Sequence, residues 1–263
     1  MNREILKRII STVLSFSLSV LLAVCALLLC VSAVFSRPVA EMVVSGEKYT
    51  SAVREEVLSS LESYAIPGGL PSDFFEDKIT EESVKADIKS AAKCAFLGKN
   101  FDVEPLRARL KSDIMSYAEA NGIDTVDAEE SIDNLVALSV SAYKNYVFSD
   151  LLKYFGAFSK AFFPWSLILF CLFLVLSLGM GLSVYKIGGA FYLRSGLSGG
   201  GLMLLIVPLY ILLSGQIARL GLTSASMFYL ASSVVYGLFG STVLIALTVL
   251  VLANIKYKKE NTR

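Results

Sequence analysis

The sequence predicts an all-α membrane protein, with four transmembrane helices and a helical extracytoplasmic domain inserted between the first and the second. Three observations predict it. Of 263 residues, 55% are hydrophobic and only 18% charged, where soluble chains run at about 45–50% apolar and about 25% charged. Four stretches contain no Asp, Glu, Lys or Arg: Ile9 to Ser36, Ala161 to Tyr185, Ser195 to Ala218 and Leu220 to Ile255. The remaining charges are segregated, because residues 37–160 hold 21 of the 23 acidic and 14 of the 24 basic residues, a net of −7.

Each uncharged stretch is long enough to cross a bilayer, since a hydrocarbon core of about 30 Å needs roughly 20 helical residues at ~1.5 Å rise. Buried charge is costly there, so the spans are placed at 9–35, 162–185, 198–217 and 228–254. Lysines and arginines accumulate on the cytoplasmic side of a membrane protein. Here Arg3, Lys7 and Arg8, then Lys186 and Arg194, then Lys256, Lys258, Lys259 and Arg263 fall on one side, with only Arg219 in the short opposite loop. Both termini (1–8 and 255–263) and the loop 186–197 are therefore expected inside, and the domain 36–161 with the loop 218–227 outside.

The first span competes with a cleavable signal peptide, because Val31-Ser32-Ala33 resembles a small-residue cleavage site. The apolar run from Ile9 to Cys30 is 22 residues, longer than the ~7–15 of a signal h-region, so the span is expected to be retained. Cys25, Cys30 and Cys171 sit within spans and Cys94 stands alone in the hydrophilic domain, which therefore has no internal disulfide. That domain also lacks an Asn-x-Ser/Thr sequon, and both features point to a bacterial plasma membrane.

The hydrophilic domain reads as helices, because apolar residues recur at three and four and Gly and Pro are confined to joints. A first helix carries Val39, Met42, Val43, Tyr49, Val53, Val57, Leu61 and Tyr64 on one face and stops at Ile66-Pro67-Gly68-Gly69-Leu70-Pro71. A second starts after the N-cap Thr80, buries Val84, Ile88, Ala91, Ala92 and Ala95, and ends at Gly98. A third follows Asp102 with Leu106, Leu110 and Ile114 inward and closes at Asn121-Gly122. The last begins near Asp127 and runs through Ile132, Leu135, Val140, Tyr143, Val147, Leu151 and Phe158 into the second span as one rod. The first and last helices are expected to extend the first two spans as a paired stalk.

Two classes of side chain stand out in the spans. Small residues recur every fourth position, at Ser11, Ser15, Ser19 and Ala23 in the first span and at Ser233, Gly237 and Ser241 in the fourth. Such ridges let helices approach closely in lipid, within this chain or against a second copy or partner. Phe162, Phe163 and Trp165 fall where the second span meets the outer interface, where amphipathic rings anchor. Pro208 is expected to kink the third span.

Catalytic and metal chemistry find little support. The chain has no His, which removes the commonest base and metal ligand. A net charge of +1 excludes a generally basic nucleic-acid binder. Gly196-Leu197-Ser198-Gly199-Gly200 matches G-x-S-x-G, and its first four residues resemble the serine segment of rhomboid proteases. A serine nucleophile needs a base within hydrogen-bond reach, and the nearest Lys is Lys186, so the segment is read as a close-packing entrance to the third span. The acidic groups Asp73, Glu76, Asp77, Glu81 and Glu82, and Asp124, Asp127, Glu129 and Glu130, lack the glycine of an EF-hand loop and suit helix starts. No catalytic, cofactor or metal residue is therefore assigned. The spans offer only Gln216 and Asn254 as polar amide groups, at their ends, which disfavours an ion-coupled transporter.

The order of a short inner terminus, a span, a large outer domain and three further spans is similar to that of FtsX/MacB-type permeases. That resemblance implies force transmitted from a cytoplasmic ATPase to the outer domain. It covers layout alone and carries over no residue. The reading that requires least of the sequence is a non-catalytic protein whose outer domain binds or senses an extracytoplasmic partner, with the bilayer as its other partner.

Overall fold

The computed structural model describes residues 3–123 and 128–260. Its helices are α1 (Arg3–Val34), α2 (Arg37–Val44), α3 (Glu47–Ala65), α4 (Glu81–Leu97), α5 (Glu104–Ala120), α6 (Glu129–Val147), α7 (Asp150–Gly188), α8 (Ala190–Leu213) and α9 (Ala225–Glu260), with a 3-10 turn at Ile217–Arg219. Among the described residues there is no strand. Helices α1, α7, α8 and α9 are long and apolar enough to span a membrane, as fits a multi-pass membrane protein. Arg263, Asp124 and Asp127 lie outside the described residues.

Two compact units form. One comprises Met1–Val39, Ala161–Gly221 and Ala231–Arg263, and the other Ala40–Lys160 and Leu222–Leu230. The chain leaves one unit for the other within α2, within α7, between α8 and α9, and within α9.

In the first unit, contact registers fix the directions of the spans. Ser15 Oγ donates to the Tyr192 carbonyl and Ser19 Oγ to the Gly196 carbonyl, both at 2.8 Å and both 177 positions apart. A constant difference means that α1 and α8 run parallel. Ser32 Oγ donates to Ser166 Oγ at 2.8 Å and Phe35 meets Phe162 edge-on at 6.3 Å between centroids, so partners in α7 fall as those in α1 rise. Helix α7 is thus antiparallel to α1. Arg194 of α8 donates to Asn254 of α9 at 2.9 Å, and Gly201 faces Ala246 and Leu250, which makes α9 antiparallel to α8. The alternation is that of four successive crossings. Leu172, Val175, Leu178 and Leu182 of α7 are exposed, and such a continuous apolar face is stable only in lipid or against a partner.

The second unit is a helical head around one core. Val53, Val57 and Leu61 of α3, Val84 and Ile88 of α4, Leu110 of α5 and Tyr143 of α6 are all essentially inaccessible. Its helix ends follow local chemistry. Thr80 Oγ1 accepts from the Ser83 amide at 3.3 Å, and Gly98 closes α4 at φ +69°. Asp102 Oδ1 accepts from the Glu104 amide at 3.0 Å ahead of α5. Arg54 donates to the carbonyls of Ile79 (2.7 Å) and Glu76 (3.1 Å), which pins the long α3–α4 connection while Phe75 and Ile79 fill the core beneath it. Tyr143 Oη donates to Asp87 at 2.6 Å; burial and then this hydrogen bond push the phenol well above its ordinary pKa.

Three expectations need correction. The helix expected over the segment from Val39 to Tyr64 is broken at Ser45-Gly46 into α2 and α3, and Met42 is 70% exposed rather than inward. Pro38 sits at the second position of α2, where its missing amide costs no helical bond, so it starts a new helix after α1 ends at Val34. The expected rod breaks at Phe148 (φ −114°, ψ 52°), and Ser149 then caps α7 by accepting from the Leu152 amide. The segment 186–197, expected as a loop, is helical but for Gly189 at φ +80°. Helices α7 and α8 each continue through their prolines, Pro164 and Pro208.

Candidate functional site

The head carries an apolar cleft of about 180 Å³. Its wall on one side is the turn after α3, where the Leu70 amide returns to the Ala65 carbonyl at 2.9 Å and Gly69 takes φ +75°. Gly68 lets this turn approach α6, because a Cβ there would stand 2.8 Å from Leu135 Cδ2. Ile114 and Ala118 of α5, and Ile132 and Leu135 of α6, supply the floor, while Ser131 and Ile123 are exposed at the lip. The lining residues Pro67 to Leu70 follow directly on α3, so the cleft lies at the opposite end of that helix from Glu47. At ~1.5 Å per residue the separation is about 28 Å.

Several acidic residues neighbour the lining residues in chain position, though none lines the cleft itself. Asp73, Asp113, Glu119, Glu129, Glu130 and Asp133 all lie within three positions of a lining residue. Lys111 is the single described cation equally near; it bonds Asp133 at 2.6 Å and reaches Glu129 at 3.8 Å. The Asp133 hydrogen bond raises the Lys111 ammonium above its ordinary pKa. Asp113 pairs with Lys78 at 3.6 Å.

A second arrangement holds the start of α9 to α3. Glu56 Oε1 accepts from the Ser226 amide at 3.0 Å and Oε2 from the Ser226 hydroxyl at 2.6 Å. Ser224 Oγ caps the same helix by accepting from the Met227 amide at 3.1 Å. First-turn amides have no partner within their own helix, and a carboxylate there also meets the positive end of the helix dipole. Leu230, one turn on, is 3% exposed in the head core.

The small-residue ridge of the first span meets Gly188 at the end of α7 and the glycines of α8. Ser11, Ser15 and Ser19 are buried, and Ala23 is partly buried beside Ala26, Leu204 and Ala246. A Cβ on Gly188 would meet Ser11 Oγ at 2.8 Å, on Gly196 the Ser15 carbonyl at 3.0 Å, and on Gly200 the Ser19 carbonyl at 3.1 Å. Glycine is what lets these backbones approach so closely. On α9 the same spacing has a different outcome: Ser233 and Gly237 are exposed and Ser241 is half-buried, whereas Thr242 and Ala246 are buried. Phe162 and Phe163 are half-buried and Trp165 is 67% exposed. Among the described residues, no three His, Cys, Asp or Glu side chains converge as metal ligands would.

Sequence reasoning singled out neither the cleft nor the Glu56 clasp. Glycines 68 and 69 marked a turn, without showing that two other helices close on it, and Glu56 and Ser226 are 170 positions apart. Comparison with known protein families, curated proteins and solved structures found no match to this chain.

Proposed function

We propose that this chain is a non-catalytic, multi-pass protein of a bacterial plasma membrane, with both termini in the cytoplasm, whose helical head lies outside and binds or senses an extracytoplasmic partner. The observation that carries this reading is the open apolar cleft on a head that holds its own core. The orientation rests on the basic flanks: parallel α1 and α8 must begin on the same side, which is where Arg3, Lys7, Arg8 and Arg194 fall. Trp165, Phe162 and Phe163 suit the outer interface. A photo-crosslinking residue at Ile123 or at Lys89, introduced into the full chain in intact cells, tests the reading. Discrete adducts with an extracytoplasmic protein are expected, and adducts with cytoplasmic proteins alone would reject it.

A second reading, a permease-like or mechanotransmission subunit driven by a cytoplasmic ATPase, is favoured by one observation. Three of the four passages between units occur inside a helix, so a shift of α7 or α9 is carried along hydrogen-bonded backbone rather than lost in a loop. Isolation in mild detergent distinguishes the two: a stoichiometric ATPase supports transmission, and a chain that brings down only extracytoplasmic proteins removes it.

A further inference from the structure

We propose that the head binds anionic lipid headgroups through a lysine collar at the root of α7, formed by Lys99, Lys153 and Lys160 with Tyr154 and Phe158 beside them. The proposal depends on α7 crossing a bilayer, not on which side the head faces, and it goes beyond the binding role proposed above. In residues 88–101 and 151–160 every charged residue is a lysine, whereas the rest of 37–160 has 9 basic against 21 acidic residues. Two basic segments thus stand in a domain that is otherwise acidic.

The fold brings those segments together. Phe96 meets Phe155 edge-on at 6.2 Å, and a Cβ on Gly156 would stand 2.7 Å from the Ala95 carbonyl carbon. Just past α4, Lys160 Nζ is 3.9 Å from where a Cβ on Gly98 would be. Phe101 packs against Phe148 at 6.1 Å between centroids, and Lys153 Nζ lies 5.0 Å over the same Phe148 ring. The connection 98–101 therefore runs from Lys160 to the ring under Lys153, and it carries the exposed Lys99. The acids next along the chain are engaged, Asp102 with the Glu104 amide and Asp150 with Lys153 at 2.8 Å. Lys99 and Lys160 have no ion-pair partner among the described residues.

Position along α7 names the occupant. Lys160 directly precedes the uncharged stretch of that helix, and Lys153, seven residues earlier on the same face, is about 10 Å further along it. A headgroup layer is about 5–8 Å deep on each side of the hydrocarbon, and lysine stems extend their ammonium groups toward such a layer. Tyr154 and Phe158, one turn apart on the same stretch, are 75% and 49% exposed, which suits rings at headgroup level. At this depth the first neighbour is lipid. Three ammonium groups, with one carboxylate already bound to Lys153, favour phosphate-bearing anionic headgroups over zwitterionic ones, and each lysine near the surface is worth about a fivefold preference.

The test uses the full chain with Asn100→Cys labelled by bimane, in a background with Cys25, Cys30, Cys94 and Cys171 replaced by Ser. It is placed in phosphatidylcholine nanodiscs that contain a small, equal fraction of either phosphatidylglycerol or phosphatidylcholine bearing a nitroxide close to the headgroup. Quenching of the bimane reads which lipid lies beside the collar, and is blind to lipid held by basic residues elsewhere in the chain. Quenching is expected with both lipids and several-fold stronger with phosphatidylglycerol. That preference should vanish at about 1 M salt, where the screening length is about 3 Å. Lys99→Gln with Lys160→Gln is expected to remove most of the preference, and Lys99→Arg with Lys160→Arg to keep it, a split that a merely structural role for these stems would not produce. Equal quenching by the two lipids would leave only aromatic anchoring and overturn the proposal. So would the absence of quenching by either lipid, or a preference that survives Lys99→Gln with Lys160→Gln.

Discussion

Replacing Glu56 by Ala should release the start of α9 from the head. Glu56 makes two bonds to Ser226, at 3.0 and 2.6 Å, and Ser226 is only 9% exposed, so neither donor is readily rescued by water. Hydrogen bonds to charged groups contribute about 1.5–3 kcal/mol each, and two to one residue are less than additive. A loss of about 3 kcal/mol follows. Against it stands the burial of Leu230, which still holds the same segment to the core with about 1.5–3 kcal/mol. The segment should therefore open locally and the head should not unfold. Hydrogen exchange read by mass spectrometry on the full chain in nanodiscs is the assay. Amides in 224–230 should exchange roughly 100-fold faster, since 1.4 kcal/mol is a factor of about ten, while those of α3 and α6 hold. Glu56→Gln keeps one acceptor oxygen and should give a smaller increase. An increase below about threefold in Glu56→Ala, where roughly 100-fold is expected, would refute the reasoning and assign the docking to Leu230 and to Tyr229, which is partly buried against the same core.

Other perturbations follow from the same geometry. Gly156→Val places a Cβ 2.7 Å from the Ala95 carbonyl carbon and 2.9 Å from its oxygen, and should cost the head at least the ~1–3 kcal/mol of overpacking, seen as a lower midpoint of chemical unfolding. On the α1/α8 seam, Gly200→Leu should lower the melting temperature of the detergent-solubilised chain more than Ser15→Ala with Ser19→Ala. Crowding costs ~1–3 kcal/mol, whereas hydrogen bonds between membrane helices average about 0.6 kcal/mol. Alkali should destabilise the head. Burial, aided by the nearby charge of Glu56 and opposed by a hydrogen bond with Ser149, raises Tyr49 to about 12, and Tyr143 is raised as well. Unfolded tyrosines ionise near pH 10. Above that pH the unfolded chain sheds protons that the folded head retains, so stability present below pH ~10 falls by about 1.4 kcal/mol per pH unit for each tyrosine. Circular dichroism of chemical unfolding between pH 9 and 11.5 should show a shallower decline in Tyr143→Phe.

Helix type and the core faces of the head were legible because each rests on short-range chemistry. The spans declare themselves by uncharged length, α4 by Thr80 and Gly98, and α5 by Asp102 and Asn121. The breaks were missed where an apolar period continues across a joint. Val147 and Leu151 keep the spacing through Phe148, although Ser149-Asp150 is a readable cap and first-turn acid. Gly46 was likewise hidden between two apolar faces. On the spans, small-residue spacing identifies a ridge but not its partner. Ser11, Ser15 and Ser19 meet glycines nearly 180 positions away, and an equal spacing at Ser233 and Gly237 faces outward. The cleft and the clasp arise from residues brought together only by tertiary packing, for which a single sequence has no local signal.

Membrane sidedness tests the central claim most directly. A single cysteine introduced at Asn100 in a background with Cys25, Cys30, Cys94 and Cys171 replaced by Ser, and another at Asn261 in the same background, would be treated with a membrane-impermeant maleimide in intact cells. The account predicts labelling at position 100 without permeabilisation and at position 261 only after it. Labelling at position 261 in intact cells, with position 100 protected until lysis, would contradict it.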